Sequence, residues 1–190
     1  MRFTEHGWDN YFEPERSLAI DVKFHHIGIT VTNLERTLEF FEDAFGLVTG
    51  MALQVHSGAK TAKALGLPEH EQRVALLAVG DVILELIEFH PARRASYDGR
   101  QDDVGYAYPC FAVADIDAAY KEWTAKGYTI HAEPQVVPDG PVEGSKFMVL
   151  KDPDGKNIEI VETGKYLVAS NIHAGEGSAS LDDPVVIGKH

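Results

Sequence analysis

The pentapeptide Leu84-Glu85-Leu86-Ile87-Glu88 recurs in the second half of the chain as Ile158-Glu159-Ile160-Val161-Glu162. Each copy closes a longer block. The first block opens with His26-Ile27-Gly28-Ile29-Thr30-Val31, the second with Tyr108-Pro109-Cys110-Phe111-Ala112-Val113. An internal repeat constrains a fold more than any isolated motif, because each copy is one supersecondary unit that buries its apolar face against its neighbour. The chain therefore reads as one duplicated module, with room for a site between the copies.

The 190 residues suffice for one large domain or two small fused modules, and 44% hydrophobic content supports a real core. A formal net charge of −13 argues against nucleic-acid or anionic-membrane partners, which require clustered Lys and Arg. A single cysteine, Cys110, excludes an intrachain disulfide and points to a reducing compartment. Residues 1–10 lack the apolar run of a signal peptide, and no stretch is long enough for a membrane span. The expected location is cytoplasmic.

Hydrophobic spacing gives the elements. In residues 24–31, Ile27, Ile29 and Val31 alternate with His26, Gly28 and Thr30, which predicts a strand with two distinct faces. Leu34, Leu38, Phe41 and Phe45 have helical spacing, with Thr32 or Asn33 as N-cap and Gly46 as C-cap. A strand is expected at 51–55, an Ala-rich insert at 57–68, and a hairpin over 73–89 turning at Gly80-Asp81. Residues 90–105 form the linker. The second copy repeats the order: a strand at 108–113, a helix capped by Asp115, a strand at 128–131 and a Pro/Gly loop at 133–145. A last hairpin turns at Asp152-Pro153-Asp154-Gly155. The expected organisation is an N-terminal extension over 1–21, a body over 22–163 built from modules 22–90 and 105–163, and a tail over 164–190. The fold class is α+β, with two tandem β-α-β-β-β modules forming a curved mixed sheet around a central cup.

Four motifs in order carry a family resemblance: His26-Ile-Gly-Ile-x-Val, Leu84-Glu85-Leu-Ile-Glu, Phe111-x-Val-x-Asp-Ile-Asp-Ala and Lys151-Asp-Pro-Asp-Gly-x-x-Ile-Glu159-Ile-x-Glu. Together they resemble the vicinal oxygen chelate superfamily, the fold of glyoxalase I, bleomycin-resistance proteins and extradiol dioxygenases. The resemblance implies one divalent metal ion in the cup (Zn, Ni, Co, Mn or Fe). It places the ligands at His26, Glu85, Tyr108 and Glu159. Tyr108 departs from the family pattern, which commonly has His there.

Strand alternation agrees for three of the four. Glu85 and Glu159 each sit between apolar residues and point away from the helix-packed face, and His26 lies opposite Ile27 and Ile29. One imidazole and two carboxylates suit a borderline-hard divalent cation. A lone Glu in a strand is ordinarily a solvent-facing residue; it is the matching place of both in the repeat that singles them out. Tyr108 has four readings: a ligand, a hydrogen-bond partner of metal-bound water, the mark of a site that has lost its metal, or a cup-lining aromatic that shapes the pocket. His25 falls on the core side by parity and reads as structural. Cys110 reads as packed and inert. Glu88 and Glu162 are expected at the sheet edge with no chemistry, and Asp152 and Asp154 serve the turn. Residues 138–145 and Phe147 are candidates for substrate contact.

Three reactions fit this pattern. The first is a glyoxalase-like lyase or isomerase acting on a small oxygenated metabolite by metal-stabilised enediolate proton transfer, with Glu159 or Glu85 as the proton shuttle. The second is a metal-free binding or resistance protein, in which Tyr108, Trp123, Phe147 and the acidic charge receive an aromatic or cationic ligand. The third is an Fe(II) ring-cleaving dioxygenase, disfavoured because Tyr108 stands where a second His is needed. By the same resemblance a homodimer and a small-molecule substrate are the expected partners.

Overall fold

The computed structural model describes residues 24–80, 82–92, 99–139 and 142–162. The extension over 1–21 and the tail over 164–190 lie outside the described residues. The element order is β1 (His26–Val31), α1 (Leu34–Phe45), β2 (Gln54–Ser57), α2 (Ala59–Leu65), β3 (Glu71–Val79), β4 (Val82–His90), β5 (Cys110–Val113), α3 (Ile116–Ala125), β6 (Gln135–Val136), β7 (Lys146–Lys151) and β8 (Asn157–Glu162). Two four-stranded mixed sheets result, ordered β1-β4-β3-β2 and β5-β8-β7-β6. In each, the first strand runs parallel to the last and the remaining pairs are antiparallel. The two sheets have one topology, as a duplication requires.

Local chemistry explains the boundaries. Asn33 caps α1 by accepting from the Arg36 N–H at 2.8 Å, and Asp115 caps α3 by accepting from Ala118 N–H at 2.9 Å. Gly46 ends α1 with a φ of 67°, a conformation that favours glycine. Two strand expectations are corrected. The strand expected at 128–131 reduces to one isolated bridge, Ile130 to Leu150, and the ladder position is taken by β6, inside the segment read as a loop. β5 starts at Cys110 rather than Tyr108; Pro109 has no N–H to give a ladder, and contributes only its carbonyl, which accepts from Glu159 N–H.

One core runs through both modules. Val31, Leu34, Phe41, Leu77, Leu84 and Leu86 of the first join Ile116, Trp123, Met148, Leu150, Ile158 and Ile160 of the second. The junction is aromatic: Phe45 stacks on Phe111 with ring centroids 4.6 Å apart and lies 5.4 Å from Trp123. Trp123 donates its indole N–H to the Ala44 carbonyl at 3.2 Å. Trp123 is therefore a buried core residue, contrary to its place in the binding-protein reading. The turn between β7 and β8 crosses to the first module, where Asp154 accepts from the Thr32 N–H at 2.8 Å and pairs with Arg36. Asp152 alone serves the turn as expected, accepting from the N–H groups of Asp154 and Lys156 at 2.9 and 2.8 Å. Among the described residues no helix is long and apolar enough to cross a membrane.

Candidate active site

Strand register gives the two copies matching places along their parallel strand pairs. Gly28 of β1 lies opposite Glu85 of β4, and Cys110 of β5 lies opposite Glu159 of β8. Two residues earlier in each chain segment stand His26 and Tyr108. Leu84, Leu86, Ile158 and Ile160 are buried towards the helices, whereas Glu85 and Glu159, between them, are partly exposed on the opposite face. Each module thus carries one carboxylate out of the core at the same place.

In the first module this builds a donor pair. His26 Nε2 lies 3.2 Å from Glu85 Oε2, and both side chains keep solvent contact. Gly28 leaves space for the carboxylate: a Cβ there would lie 3.3 Å from Glu85 Oε2 and 3.5 Å from Ile87 Cδ1. The other ring nitrogen of His26 meets His25, with the two Nδ1 atoms 2.7 Å apart and the rings edge-on at 83°. His25 is exposed rather than on the core side, because it precedes β1 and strand alternation does not govern its direction.

In the second module Cys110 takes the place of Gly28. It is exposed, not packed, because it faces the side of Glu159 rather than the helices. Partial desolvation of its thiol, with the charge and hydrogen bond of Glu159 added, pushes it up to about 12. Tyr108 is half-buried, its ring 6.1 Å from that of Tyr106. Phe147 of β7 lies opposite Val161, two positions along from Glu159 and on the same side of the sheet. Of the loop at 138–145, Gly140 and Pro141 fall outside the described residues. Ser145 is buried and hydrogen-bonded to the Val142 carbonyl, which gives it a structural role.

Among the described residues, no three His, Cys, Asp or Glu side chains converge on one point. The candidate ligands divide by module into two half-sites: His26 and Glu85, which are in contact, and Tyr108 and Glu159, which stand at the matching places of the second repeat. The chemistry of the first fits a divalent cation: one imidazole nitrogen beside one carboxylate oxygen, both reachable from solvent.

Two features escaped the sequence reading. Glu88 is buried, not at an open edge: it accepts from the Leu34 N–H at 2.9 Å and pairs with Arg73 and His90. Glu162 bonds the Ile116 N–H at 3.2 Å in the same way. The signal was present, since both Glu residues end the repeated pentapeptide and both helices begin three residues after their strands. The second is a cavity of about 290 Å³ at the seam of the modules, bordered by Gly28, Thr30, Pro109, Asp152 and Asn157. It is lined by Gly28, Ile29 and Thr30 of β1; the repeat gives reason to expect a site between the copies, but no periodicity within a single module could have placed it.

Residues 23–160 match the family model described as the Glyoxalase/Bleomycin resistance protein/Dioxygenase superfamily. The chain is 29% identical over 150 residues to a 2-epi-5-epi-valiolone epimerase of Actinomyces sp, covering 77% of this chain and 82% of that protein. It is 28% identical over 144 residues to a lactoylglutathione lyase of Arabidopsis thaliana, covering 75% of this chain but only 44% of that one. The chain thus spans most of the epimerase and less than half of the lyase. A glyoxalase family protein from Bacillus cereus shares the fold with a TM-score of 0.61 at 20% identity, over 79% of this chain and 97% of its own.

Proposed function

Because the chain belongs to the Glyoxalase/Bleomycin resistance protein/Dioxygenase superfamily, we propose that it is a metal-dependent lyase or isomerase that moves a proton at a carbon beside a carbonyl in a small oxygenated metabolite. The observation that carries this reading is the His26–Glu85 pair at 3.2 Å, together with Glu159 at the register-equivalent place in the duplicate. His26, Glu85, Tyr108 and Glu159 are the residues that would hold a divalent cation. The cation would polarise two neighbouring substrate oxygens as a Lewis acid. The protein's own part is proton transfer: Glu159, with Glu85 as the alternative, takes the proton from carbon and returns it. The one that acts as base must bind weakly enough to leave an oxygen free. Tyr108 and Phe147 border the reacting region and orient the substrate. The likeness to an epimerase and to lactoylglutathione lyases supports the isomerase and lyase classes and leaves the substrate open.

Two donors per half-site also support a homodimer in which His26 and Glu85 of one copy face Tyr108 and Glu159 of the other. The test of the whole reading is metal content by inductively coupled plasma mass spectrometry of tag-free protein, with His26→Ala and Glu159→Gln beside it. About one equivalent of metal per chain, lost in both variants, is the expected result. Protein that takes up no metal on reconstitution sinks the reading. It would leave Tyr108 as the mark of a converted site and a binding protein as the better description.

A further inference from the structure

We propose that His25 is a positioning residue for His26: it holds the imidazole by its Nδ1 so that Nε2 faces Glu85 and the cation. The inference rests on the reading that His26 is a metal ligand. Its geometric basis is that the His26 ring is held at both nitrogens, Nδ1 at 2.7 Å from His25 Nδ1 and Nε2 at 3.2 Å from Glu85 Oε2. A contact of that length between two imidazole nitrogens requires one to carry hydrogen and the other a lone pair. When Nε2 hydrogen-bonds to Glu85, Nε2 carries the hydrogen. Nδ1 of His26 is then the acceptor and His25 the donor. When Nε2 gives its lone pair to a cation, the hydrogen moves to Nδ1 of His26, and His25 becomes the acceptor.

His25 can serve in both states because of where it stands. It is exposed, so its own hydrogen can exchange between Nδ1 and Nε2 through water with no burial cost. A backbone carbonyl could only accept, and an ammonium could only donate. The rings meet edge-on at 83°, so the contact fixes the plane of the His26 ring in either tautomer. This matters here because the His26 side chain is 41% exposed.

The test measures metal affinity by competition of Co²⁺ or Zn²⁺ with a chromogenic chelator, for wild type, His25→Ala, His25→Asn and His26→Ala. Imidazole ¹⁵N–¹H long-range correlation spectra of the metal-free proteins accompany it. His25→Ala should keep one equivalent of metal but bind it about 10- to 100-fold more weakly, the usual cost of losing a partner behind a metal-ligating histidine. His25→Asn should recover part of the loss, since its Oδ1 occupies the place of Nδ1 and accepts. His26 Nδ1 should show the ¹⁵N shift of a hydrogen-bonded acceptor in wild type and that of a free lone pair in His25→Ala. Loss of metal in His26→Ala with wild-type affinity and an unchanged His26 Nδ1 shift in His25→Ala overturns this inference alone. Unaltered affinity in His26→Ala overturns the site reading and this inference with it.

Discussion

Glu88 reaches from β4 to the start of α1, where its carboxylate accepts the backbone N–H of Leu34 at 2.9 Å. The first N–H groups of a helix lack partners within it, and the positive end of the helix dipole favours a carboxylate there. Glu162 and Ile116 make the same contact at 3.2 Å in a less buried setting. Glu88→Ala should therefore destabilise the protein by about 2–4 kcal/mol, and Glu162→Ala by about 1–2 kcal/mol. Urea unfolding at pH 7 measures both. A Glu88→Ala loss no larger than that of Glu162→Ala would contradict the assignment.

Gly28 keeps the Glu85 carboxylate in place by having no side chain. A methyl group 3.3 Å from Oε2 forces the carboxylate to shift by a few tenths of an ångström. Gly28→Ala should leave thermal stability within about 1 kcal/mol of wild type, because the strand itself gains from losing a glycine. Metal affinity should fall severalfold by calorimetric titration with Zn²⁺. Wild-type affinity in that variant would show that Glu85 has freedom to spare.

Cys110 should be a slow thiol. With its pKa pushed up to about 12 from an ordinary 9.0, alkylation by iodoacetamide near pH 8 should run roughly tens of times slower in the folded protein than in urea, because the scarcer thiolate is also the more nucleophilic one. The raised value also sets the sign of the pH effect. The stabilisation tied to the neutral thiol is fully present below pH 9.0 and is lost as the pH climbs towards 12. Glu159→Gln removes the two causes after desolvation and should speed the reaction. No change in that variant would separate Cys110 from Glu159.

Subunit complementation tests the dimer. A His26→Ala chain and a Glu159→Gln chain are each expected to be inactive. If a site combines halves from two copies, each mixed dimer holds one intact site and one doubly altered site. Random mixing should then restore about a quarter of wild-type sites. If both half-sites came from one chain, the mixture would stay inactive.

Much of this architecture was readable before any coordinate. The repeat put Glu85 and Glu159 at matching places, and alternation took both out of the core, as the paired registers with Gly28 and Cys110 now display. The caps Asn33 and Asp115 and the turn at Gly80 followed from residue type. What escaped was non-local. Glu88 looked idle because its partner, Leu34, is distant in the chain. β6 hid among Pro and Gly because two residues are too few for a period, and its place depends on β7. His25 was misassigned by extending the strand rule one residue too far.

Asp154, from the last turn of the second module, grips Thr32 and Arg36 at the first helix of the other. Together with the Phe45–Phe111 stack, this contact denies either half an independent existence. A gene cut between the repeats would yield two fragments, each with an uncovered aromatic face. Heating or denaturant should melt the whole as a single cooperative unit, with one transition seen alike by tryptophan fluorescence and circular dichroism. Duplication here has doubled the parts while leaving one object.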